Sequence, residues 1–404
     1  MYGLIGKPLG HSFSPLLHKM LWGCEYKLFP MEEGEVREFF AAKPFDGVNV
    51  TIPYKELALA LCDEVDERAA RIGACNTVLK VRGKLKGYNT DYDGLSYLAR
   101  SAGISFAGCK VVIFGSGGTS KTATAVAQDC GARDVVIVSR RGENNYDNLS
   151  RHHDAEVLIN ATPLGMSPNV DAMPADPVLF PNCRGVIDVV YNPLTTRFVS
   201  RAAELGIAAT AGLPMLAAQA ARAAELFSGR KVGEDDIARC TAAVDTMQRN
   251  IVLIGMPGSG KTTVGRALAQ LLKRPFLDLD ADIEEAVGMG IPEYFARFGE
   301  PAFRELEAAR MEEAGLLHGA VIACGGGTPL LADNRLAMRQ NGRVYHLVRD
   351  ISTLPKNGRP LSLKGSLEEM WAARRPFYEA AADVTIDAEC GIDETAARIA
   401  KEWI

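Results

Sequence analysis

The sequence predicts an α/β protein in which parallel sheets are covered by helices, and three observations support this class. Short runs of β-branched residues alternate with amphipathic segments of helical length. Glycine-rich turns stand between such a run and a following helix at two places, 115–120 and 255–262. The 404 residues, 47% of them hydrophobic, suffice for about two to three domains with extensive cores.

The apolar runs form two series that indicate two α/β domains. The first series predicts strands at 47–52, 110–114, 134–138 and 185–190. The second predicts strands at 250–254, 276–279, 320–323 and 344–347. Helical patterns at 213–227 and 234–248 lie between the two series, with no long linker.

We therefore expect one domain over 1–248 and another over 249–404. The first domain should have two lobes, 1–98 with a return helix at 213–245 and 99–212. Ligands of such folds bind in the cleft between lobes.

Composition and charge exclude several classes of protein. A net charge of −5 and 24% charged residues give no basic surface for nucleic acid. The nine cysteines are scattered without a CxxC pair, which is typical of reduced thiols. The chain starts without a secretion signal, and its longest uncharged stretch, 205–221, is interrupted by glycine and proline. We expect a soluble cytoplasmic protein with no nucleic-acid or membrane partner, and the oligomeric state stays open.

The turn at 255–262 matches the phosphate-binding pattern GxxxxGK[ST] between a strand and a helix. Its backbone N–H groups would surround phosphate oxygens, Lys261 would reach the β- and γ-phosphates, and Thr262 would offer a hydroxyl to Mg²⁺. The residues expected at the nucleotide are Gly258, Ser259, Gly260, Lys261, Thr262 and Thr263. This pattern alone predicts binding of ATP or GTP.

The acceptor site of this domain is expected near Asp278 and Asp280, which follow an apolar run. Strand periodicity would place both carboxylates on one side, one for Mg²⁺ and one for the substrate's hydroxyl proton. The alternative is that Asp280 or Asp282 caps a helix. Arg304 and Arg374 are candidates for binding a substrate carboxylate, and Arg359 is a candidate for a lid residue. Gly325, Gly326 and Gly327 would allow the backbone to approach a ligand closely.

Together these residues resemble shikimate kinase over 249–404. The matching motifs are GMPGSGKTT, LDLDADIEE, PAFRELE, CGGGTPL, GRPL and RRPFYEAAADV. The resemblance implies an ATP-dependent kinase in which Asp280, Arg304, the glycines 325–327 and Arg374 hold shikimate. It also implies that Thr262 and Asp278 serve Mg²⁺, and that Lys261, Asp280 and Arg359 are catalytic. The segment 348–358 is shorter than is usual for the family, which affects lid closure and the adenine contacts.

The other glycine turn predicts a dinucleotide site in the first domain. Gly115, Ser116, Gly117, Gly118 and Thr119 lie where a pyrophosphate would meet a helix N-terminus. About 20 residues further on, where an NAD enzyme carries an acid, stand Ser139, Arg140 and Arg141. Two guanidinium groups there favour a 2′-phosphate and hence NADP(H).

This domain resembles shikimate dehydrogenase over about 1–245. The motifs that carry the resemblance are GKPLGHSFSP, NVTIPYK, GACNTV, GYNTDYDG, NATPLGM, DVVYNP and GLPMLAAQ. The resemblance implies that Lys55 and Asp91 form the catalytic pair and that Gly212 lies at the cofactor. The residues that it implies for substrate binding are Ser12, Ser14, Asn49, Thr51, Asn76, Tyr191 and Gln219.

The chemistry fits that pair, because hydride transfer to a ketone creates negative charge on oxygen and requires a proton donor. Lys55 can donate the proton while Asp91 orients the ammonium group. His11 and His18 lack further metal ligands, so we expect no metal in this half. The segment 142–159 is short for the family and predicts a cofactor lobe trimmed at one edge.

The sequence therefore predicts a bifunctional enzyme of aromatic amino-acid biosynthesis. NADPH-dependent reduction of 3-dehydroshikimate would give shikimate, and ATP would phosphorylate its 3-hydroxyl. One alternative is a metabolite-sensing regulator that kept the folds and lost the chemistry, although Lys55, Asp91, Lys261 and Asp280 are all retained. Another is quinate activity in the first half. Channelling of shikimate and the placement of the halves stay open.

Overall fold

The computed structural model describes residues 1–10, 12–354 and 366–403. Its internal contacts divide the chain into two units, Met1–Asp245 and Thr246–Ile404. The first unit contains two sheets and the second contains one, with helices between most successive strands. The predicted α/β class is confirmed. No helix of the described residues is both long and apolar enough to cross a membrane.

The first unit begins with a six-stranded sheet. Its strands are β1 (Tyr2–Gly6), β2 (Tyr26–Pro30), β3 (Gly47–Val50), β4 (Glu64–Val65), β5 (Thr77–Val81) and β6 (Lys84–Tyr88). The accompanying helices are α1 (Ser14–Trp22), α2 (Glu33–Ala42), α3 (Lys55–Leu61), α4 (Glu67–Ile72) and α5 (Asp91–Ser101). The strand order is β2-β1-β3-β5-β6-β4, and β5 runs antiparallel to β3 and β6. Buried aliphatic and aromatic side chains such as Ile5, Val48 and Phe45 form its core.

A second sheet of the first unit is entirely parallel. It contains β7 (Lys110–Phe114), β8 (Asp134–Val138), β9 (Val157–Asn160), β10 (Gly185–Asp188) and β11 (Ala208–Thr210) in the order β11-β10-β9-β7-β8. Its helices are α6 (Gly118–Asp129) and α7 (Arg197–Glu204), and the unit continues through α8 (Leu213–Ser228) and α9 (Glu234–Gln248). The short segment between β8 and β9 holds only a 3-10 helix at Tyr146–His152, so β8 is an edge strand. This geometry agrees with the trimmed edge that the sequence predicts.

The second unit contains one parallel five-stranded sheet. Its strands are β12 (Asn250–Ile254), β13 (Phe276–Asp278), β14 (Val321–Ala323), β15 (Gly342–Val348) and β16 (Val384–Asp387), in the order β13-β14-β12-β15-β16. The helices are α10 (Lys261–Leu272), α11 (Leu279–Val287), α12 (Ile291–Gly315), α13 (Ala332–Gln340), α14 (Leu367–Ala381) and α15 (Ile392–Trp403). Because all five strands are parallel, their carboxyl ends share one edge, where ligands of such sheets bind.

Two strands of the first unit end earlier than the sequence predicts. The runs predicted at 47–52 and 185–190 stop as strands at Val50 and Asp188. Pro53 has no N–H to continue a ladder, and the Val190 N–H donates to the Asp188 side chain at 3.0 Å instead of to a strand. The α6 helix also begins at Gly118 and not near Lys121.

The prediction that Asp278 and Asp280 share one strand face is wrong. The strand β13 ends at Asp278, whose carboxylate caps α11 by accepting from the Ala281 N–H at 3.3 Å. Asp280 therefore lies in the first turn of α11. The capping role considered for Asp280 or Asp282 belongs to Asp278.

Candidate active sites

The first site is centred on Lys55 and Asp91, which begin α3 and α5. The Lys55 ammonium group donates to Asp91 Oδ2 at 2.6 Å, and the two side chains are 18% and 11% exposed. The backbone reinforces this placement, because the Cys75 N–H donates to the Lys55 carbonyl at 2.9 Å. A partly buried ion pair of this kind holds the ammonium group in one orientation while a proton can still reach it.

Ser12, Ser14 and Tyr191 lie together beside the start of α1. The Ser12 and Ser14 hydroxyl oxygens are 3.2 Å apart. The ring of Phe13 lies edge-on to Tyr191, with the ring centroids 6.5 Å apart. Burial raises the pKa of the Tyr191 phenol, so its hydroxyl stays protonated as a hydrogen-bond donor.

Asn49 and Asn76 are both buried, on β3 and immediately before β5. The Asn49 side chain donates to the Asn76 carbonyl at 3.3 Å and accepts from the Tyr26 hydroxyl at 2.7 Å. Thr51 follows β3 directly. Gln219 lies on α8, which packs closely on α5 at Gly94, three residues after Asp91.

The glycine turn after β7 provides a backbone surface without side chains. Gly115 has φ +114°, and a Cβ there would lie 2.9 Å from the Ala161 carbonyl oxygen. Gly117 caps α6, and Gly118 and Thr119 form its first turn, so their N–H groups have no acceptor within the helix. A Cβ at Gly212 would lie 2.1 Å from the Val189 carbonyl oxygen, which accounts for glycine where α8 begins.

Ser139, Arg140 and Arg141 follow β8 at its carboxyl end. Both arginines are exposed, and neither forms an ion pair within the described part of the chain. The Gly142 N–H donates to the Ser139 carbonyl at 3.3 Å, which turns the chain sharply after these residues. Two cationic side chains therefore follow β8 at the same edge of the sheet at which the glycine turn follows β7.

Asp188 is a fully buried carboxylate at the end of β10. It accepts hydrogen bonds from Asn160 Nδ2 at 2.9 Å, the Val190 N–H at 3.0 Å and the Thr196 hydroxyl at 2.7 Å. Burial nevertheless raises the pKa of Asp188 to about 6, against the lowering effect of these donors. The residue ties β9 to the segment after β10 and was not identified from the sequence.

The phosphate-type loop of the second unit follows β12. Gly255, Gly258 and Gly260 have φ values of +148°, +89° and +96°, which favour glycine. Lys261 Nζ donates to the carbonyl oxygens of Gly255 at 2.9 Å and Met256 at 3.0 Å. Ser259 is buried, and its hydroxyl lacks a hydrogen-bond partner among the described residues. Thr263 donates to the Gly260 carbonyl at 2.9 Å.

Thr262 and Asp278 lie side by side at the same sheet edge. The Thr262 hydroxyl donates to Asp278 Oδ2 at 2.6 Å. A hydroxyl and a carboxylate are hard oxygen ligands of the type that Mg²⁺ takes, together with water and phosphate oxygens. The donor set therefore fits Mg²⁺.

Asp280, Arg304 and the glycines 325–327 converge on one side of this loop. A Cβ at Gly325 would lie 2.5 Å from Asp280 Oδ1, and one at Gly327 would lie 2.3 Å from an Arg304 nitrogen. Arg304 Nη1 donates to Glu307 Oε2 at 2.6 Å. Glu307 is 1% exposed and also accepts from the Thr328 hydroxyl at 2.8 Å.

Arg374 joins the same group of residues from α14. Its guanidinium group donates to the Gly326 carbonyl at 3.0 Å, and the buried Tyr378 hydroxyl donates to the same oxygen at 2.6 Å. Arg359, predicted to be catalytic in the lid, lies outside the described residues. Glu307 and Tyr378 stand within the motifs PAFRELE and RRPFYEAAADV, but periodicity alone describes them as ordinary helix residues.

A cavity of about 570 Å³ connects these elements. The loop residues 257–264 line its centre, and the side of β13 and β14 contributes Asp280, Arg304, Arg374 and the glycines 325–327. The side of β15 and β16 contributes Arg349, Ala388, Gly391 and Ile392. Arg349 Nε is buried and has no hydrogen-bond partner in the described part of the chain.

These sites define a two-lobed dinucleotide-dependent dehydrogenase joined to a phosphate-loop kinase, and comparison with known proteins supplies the families. The chain belongs to the shikimate dehydrogenase family over its first 60% and continues as a shikimate kinase domain. The family model of the shikimate dehydrogenase substrate-binding domain matches residues 4–78, and that of shikimate kinase matches 257–403.

Individual relatives agree with this assignment. The NADP⁺-dependent shikimate dehydrogenase of Clostridium perfringens strain ATCC 13124 is 34% identical over 261 residues, 59% of this chain and 96% of the relative. The shikimate 5-dehydrogenase of Thermus thermophilus, solved with NADP(H) and shikimate, superposes with a TM-score of 0.54 at 32% identity, covering 60% of this chain and 98% of that one. A chorismate mutase/shikimate 5-dehydrogenase fusion from Clostridium acetobutylicum gives 0.57 at 32% identity, covering 60% and 96%.

Proposed function

We propose that the chain catalyses two consecutive steps, reduction of 3-dehydroshikimate to shikimate and phosphorylation of shikimate at its 3-hydroxyl. The observation that carries the first step is the Lys55–Asp91 pair at 2.6 Å, which is linked to the predicted substrate residue Asn76 through the Thr90 N–H. We propose 1–248 as the dehydrogenase, with 1–98 and 213–245 holding substrate and 99–212 holding cofactor, and 249–404 as the kinase. Since both reactions consume common cytoplasmic metabolites, we place the enzyme in the cytoplasm.

In the first step, NADPH supplies the hydride that reduces the ketone carbon. The Lys55 ammonium group donates a proton to the ketone oxygen as negative charge develops there, and Asp91 keeps that group oriented. Ser12, Ser14, Asn49, Thr51, Asn76, Tyr191 and Gln219 bind the remaining hydroxyls and the carboxylate. Lysine then recovers its proton from water.

The cofactor fits the residues present in the second lobe. A Cβ at Gly117 would meet no neighbouring atom within 4 Å among the described residues, so this part of the turn is open to a pyrophosphate, and the first N–H groups of α6 have no acceptor within that helix. Arg140 and Arg141 supply the positive charge that a 2′-phosphate requires. These features support NADP(H) over NAD(H).

In the second step, the 3-hydroxyl oxygen attacks the γ-phosphorus of ATP and ADP leaves. Asp280 accepts the hydroxyl proton, Arg304 and Arg374 hold the substrate carboxylate, and Lys261 neutralises charge on the transferred group. Mg²⁺, held through Thr262 and Asp278, would neutralise charge on the β- and γ-phosphate oxygens. Arg359 is proposed to close over the phosphates.

The order of the strands fixes the direction of the nucleotide in this proposal. The transferred phosphoryl group must lie between the acceptor and the rest of the nucleotide. Because the phosphate loop follows the central strand β12 and the acceptor residues lie towards β13 and β14, the nucleoside extends towards β15 and β16. Among the described residues, Arg349 is the cation that lines this side of the cavity.

Two assays on the full chain test the function. Shikimate with NADP⁺ should produce NADPH absorbance, and shikimate with ATP should produce ADP. Lys55→Ala should abolish the first activity alone and Lys261→Ala the second alone. The matched controls Lys84→Ala and Lys401→Ala remove exposed lysines and should change neither activity.

Loss of both activities from either active-site change would contradict independent sites, and absence of both activities from the wild type would contradict the function. A parallel dehydrogenase assay with quinate in place of shikimate tests the alternative substrate. The alternative is included because a quinate dehydrogenase from Corynebacterium glutamicum superposes with a TM-score of 0.53 at 25% identity, covering 59% of this chain. We expect a higher kcat/KM for shikimate.

A further inference from the structure

Thr77 is a buried polar side chain of the first unit that the proposed mechanism does not use. It begins β5 and lies directly opposite Asn49 of β3 in the antiparallel register. Its exposed fraction is 0%, and those of its polar neighbours Asn49, Asn76 and Thr90 are 6%, 3% and 1%. Four polar side chains are therefore buried together, and one of them, Thr90, stands next to Asp91 in the chain.

The Thr77 hydroxyl is the central group of this cluster. It accepts a hydrogen bond from Asn49 Nδ2 at 2.8 Å. It donates to Asn76 Oδ1 at 3.2 Å, and the Thr90 hydroxyl oxygen lies 3.1 Å away, with either hydroxyl able to donate to the other. The same Asn76 oxygen accepts from the Thr90 N–H at 2.7 Å, and Thr90 immediately precedes Asp91.

These bonds determine which atoms the two asparagines have left for a ligand. Asn49 Nδ2 is committed to Thr77 and to the Asn76 carbonyl, while its Oδ1 accepts from Tyr26 at 2.7 Å. Asn76 Nδ2 donates one proton to Thr90 at 3.1 Å, and among the described residues its other proton has no acceptor. The amide orientation of both side chains thus depends on the hydroxyl between them.

Stability alone does not account for this arrangement. Burying polar groups has a free-energy cost that internal hydrogen bonds offset, and an apolar cluster of the same shape serves a core equally well. A hydrogen-bonded polar cluster next to a catalytic residue instead restricts each side chain to a single orientation, as a substrate site requires.

We propose that Thr77 is a positioning residue of the dehydrogenase, whose hydroxyl orients the amides of Asn49 and Asn76 for binding a polyhydroxylated cyclic carboxylate. This proposal rests on the proposed dehydrogenase function and deepens it. Thr77 does not contact the substrate; it acts through the two asparagines and, through Thr90, on the start of the helix that carries Asp91.

The test compares Thr77→Val, which keeps the shape and removes the hydroxyl, with Thr77→Ser, which keeps the hydroxyl. In full-length protein, Thr77→Val should raise KM for shikimate about tenfold, the effect of losing one or two oriented hydrogen bonds. KM for NADP⁺ and the kinase activity of the same chain should not change. Thr77→Ser should return KM to within about twofold of wild type. Thr241→Val is the matched control, because that hydroxyl donates to the Ile237 carbonyl within its own helix.

Unchanged shikimate kinetics in Thr77→Val would overturn the proposal, as would equal impairment of the serine and valine variants, which would indicate packing. If the valine variant does not fold, Thr77→Cys replaces it as a similar-sized side chain with a weak donor. A cysteine variant with wild-type KM would also overturn the proposal, and a raised KM would support it. Wild-type protein inactive with shikimate and NADP⁺ would instead reject the underlying function.

Discussion

Asp188 shows at the scale of one residue how burial competes with hydrogen bonding. Three donors surround its carboxylate, yet burial raises the pKa to about 6. The folded state therefore binds this proton more tightly than the unfolded state, in which the pKa is near 3.8. The group's contribution to stability is full below about pH 4 and is lost as the pH rises through about 6.

Asp188→Asn should remove this pH dependence. Relative to wild type, the variant should gain free energy of unfolding between pH 4 and pH 7, by up to about 3 kcal/mol for a pKa difference of about two units. Urea unfolding of the full chain at pH 4 and at pH 7, with dehydrogenase activity as the readout, measures the difference in free energy of unfolding between variant and wild type. The exposed control Asp235→Asn should differ from wild type equally at both. If the difference in free energy of unfolding between Asp188→Asn and wild type did not depend on pH, the Asp188 carboxyl of the folded wild type would titrate as it does in the unfolded chain, which would contradict the prediction.

Glu307 illustrates how a residue inside a recognised motif can be overlooked. A glutamate three residues after an arginine on a helix reads as a surface pair. The fold instead buries Glu307 between Arg304 and Thr328, because the long helix α12 packs against the glycine loop after β14. Its charge fixes the guanidinium group that is proposed to bind the substrate carboxylate.

Glu307→Gln should weaken shikimate binding in the kinase reaction. The amide keeps the size of the side chain but loses the charge that orients Arg304, so KM for shikimate should rise by about tenfold or more. Steady-state kinase kinetics measure this, with dehydrogenase activity as the internal reference. Glu313→Gln removes an exposed partner of Arg310 and should leave KM unchanged. An unchanged KM for Glu307→Gln would mean that Arg304 is oriented without it.

At the scale of elements, the sequence was most informative where apolar runs stand between distinct turns. The strands at 110–114, 134–138 and 250–254 match the predicted bounds, because each is followed by a glycine turn or a charged loop. The end of β13 could not be predicted in this way. The side chain of Asp278 accepts from the Ala281 N–H, which starts α11 at Leu279, whereas strand periodicity would continue to Asp280.

Contacts between elements distant in the sequence were also beyond prediction. The motif GACNTV is visible in the sequence, but the cluster of Thr77 with Asn49 depends on the register of β3 against β5. Similarly, Tyr378 and Arg374 meet on the Gly326 carbonyl only because α14 packs beside the loop after β14. Sequence motifs located the sites, whereas packing determined which polar atoms of the site residues remain available to bind a ligand.

The edge strand β8 carries the proposed cofactor specificity at its carboxyl end. Replacing both Arg140 and Arg141 by alanine should raise KM for NADP⁺ about 100-fold, because two guanidinium partners of the 2′-phosphate are lost, and should leave KM for NAD⁺ unchanged. Initial rates with each cofactor measure the ratio. Arg133→Ala, before the amino end of the same strand, is the matched control. An equal loss with both cofactors would indicate damage to the lobe and would contradict 2′-phosphate binding.

At the scale of the whole molecule, a net charge of −5 gives no indication that every proposed substrate and nucleotide is an anion. The relevant cations are few and local. Arg140 and Arg141 are exposed at the end of one strand, whereas Lys261 and Arg374 are buried at the edge of another sheet. Recognition therefore depends on where individual charges are placed within each unit and not on their sum.

The division into two units leads to a prediction about flux through both reactions. If shikimate leaves the first site and reaches the second through bulk solution, a covalent link does not change the steady state, because the intermediate equilibrates with solvent before it is captured.

An equimolar mixture of full-length Lys55→Ala and Lys261→Ala chains, each at the wild-type concentration, contains the same number of working sites of each kind as the wild type. Supplied with 3-dehydroshikimate, NADPH and ATP, the mixture should match the wild type in final rate and in the lag before ADP appears. Each variant alone should produce no shikimate-dependent ADP from 3-dehydroshikimate, which controls for residual activity. A shorter lag in the wild type than in the mixture would contradict release into solution and would indicate direct transfer between the two sites of one chain.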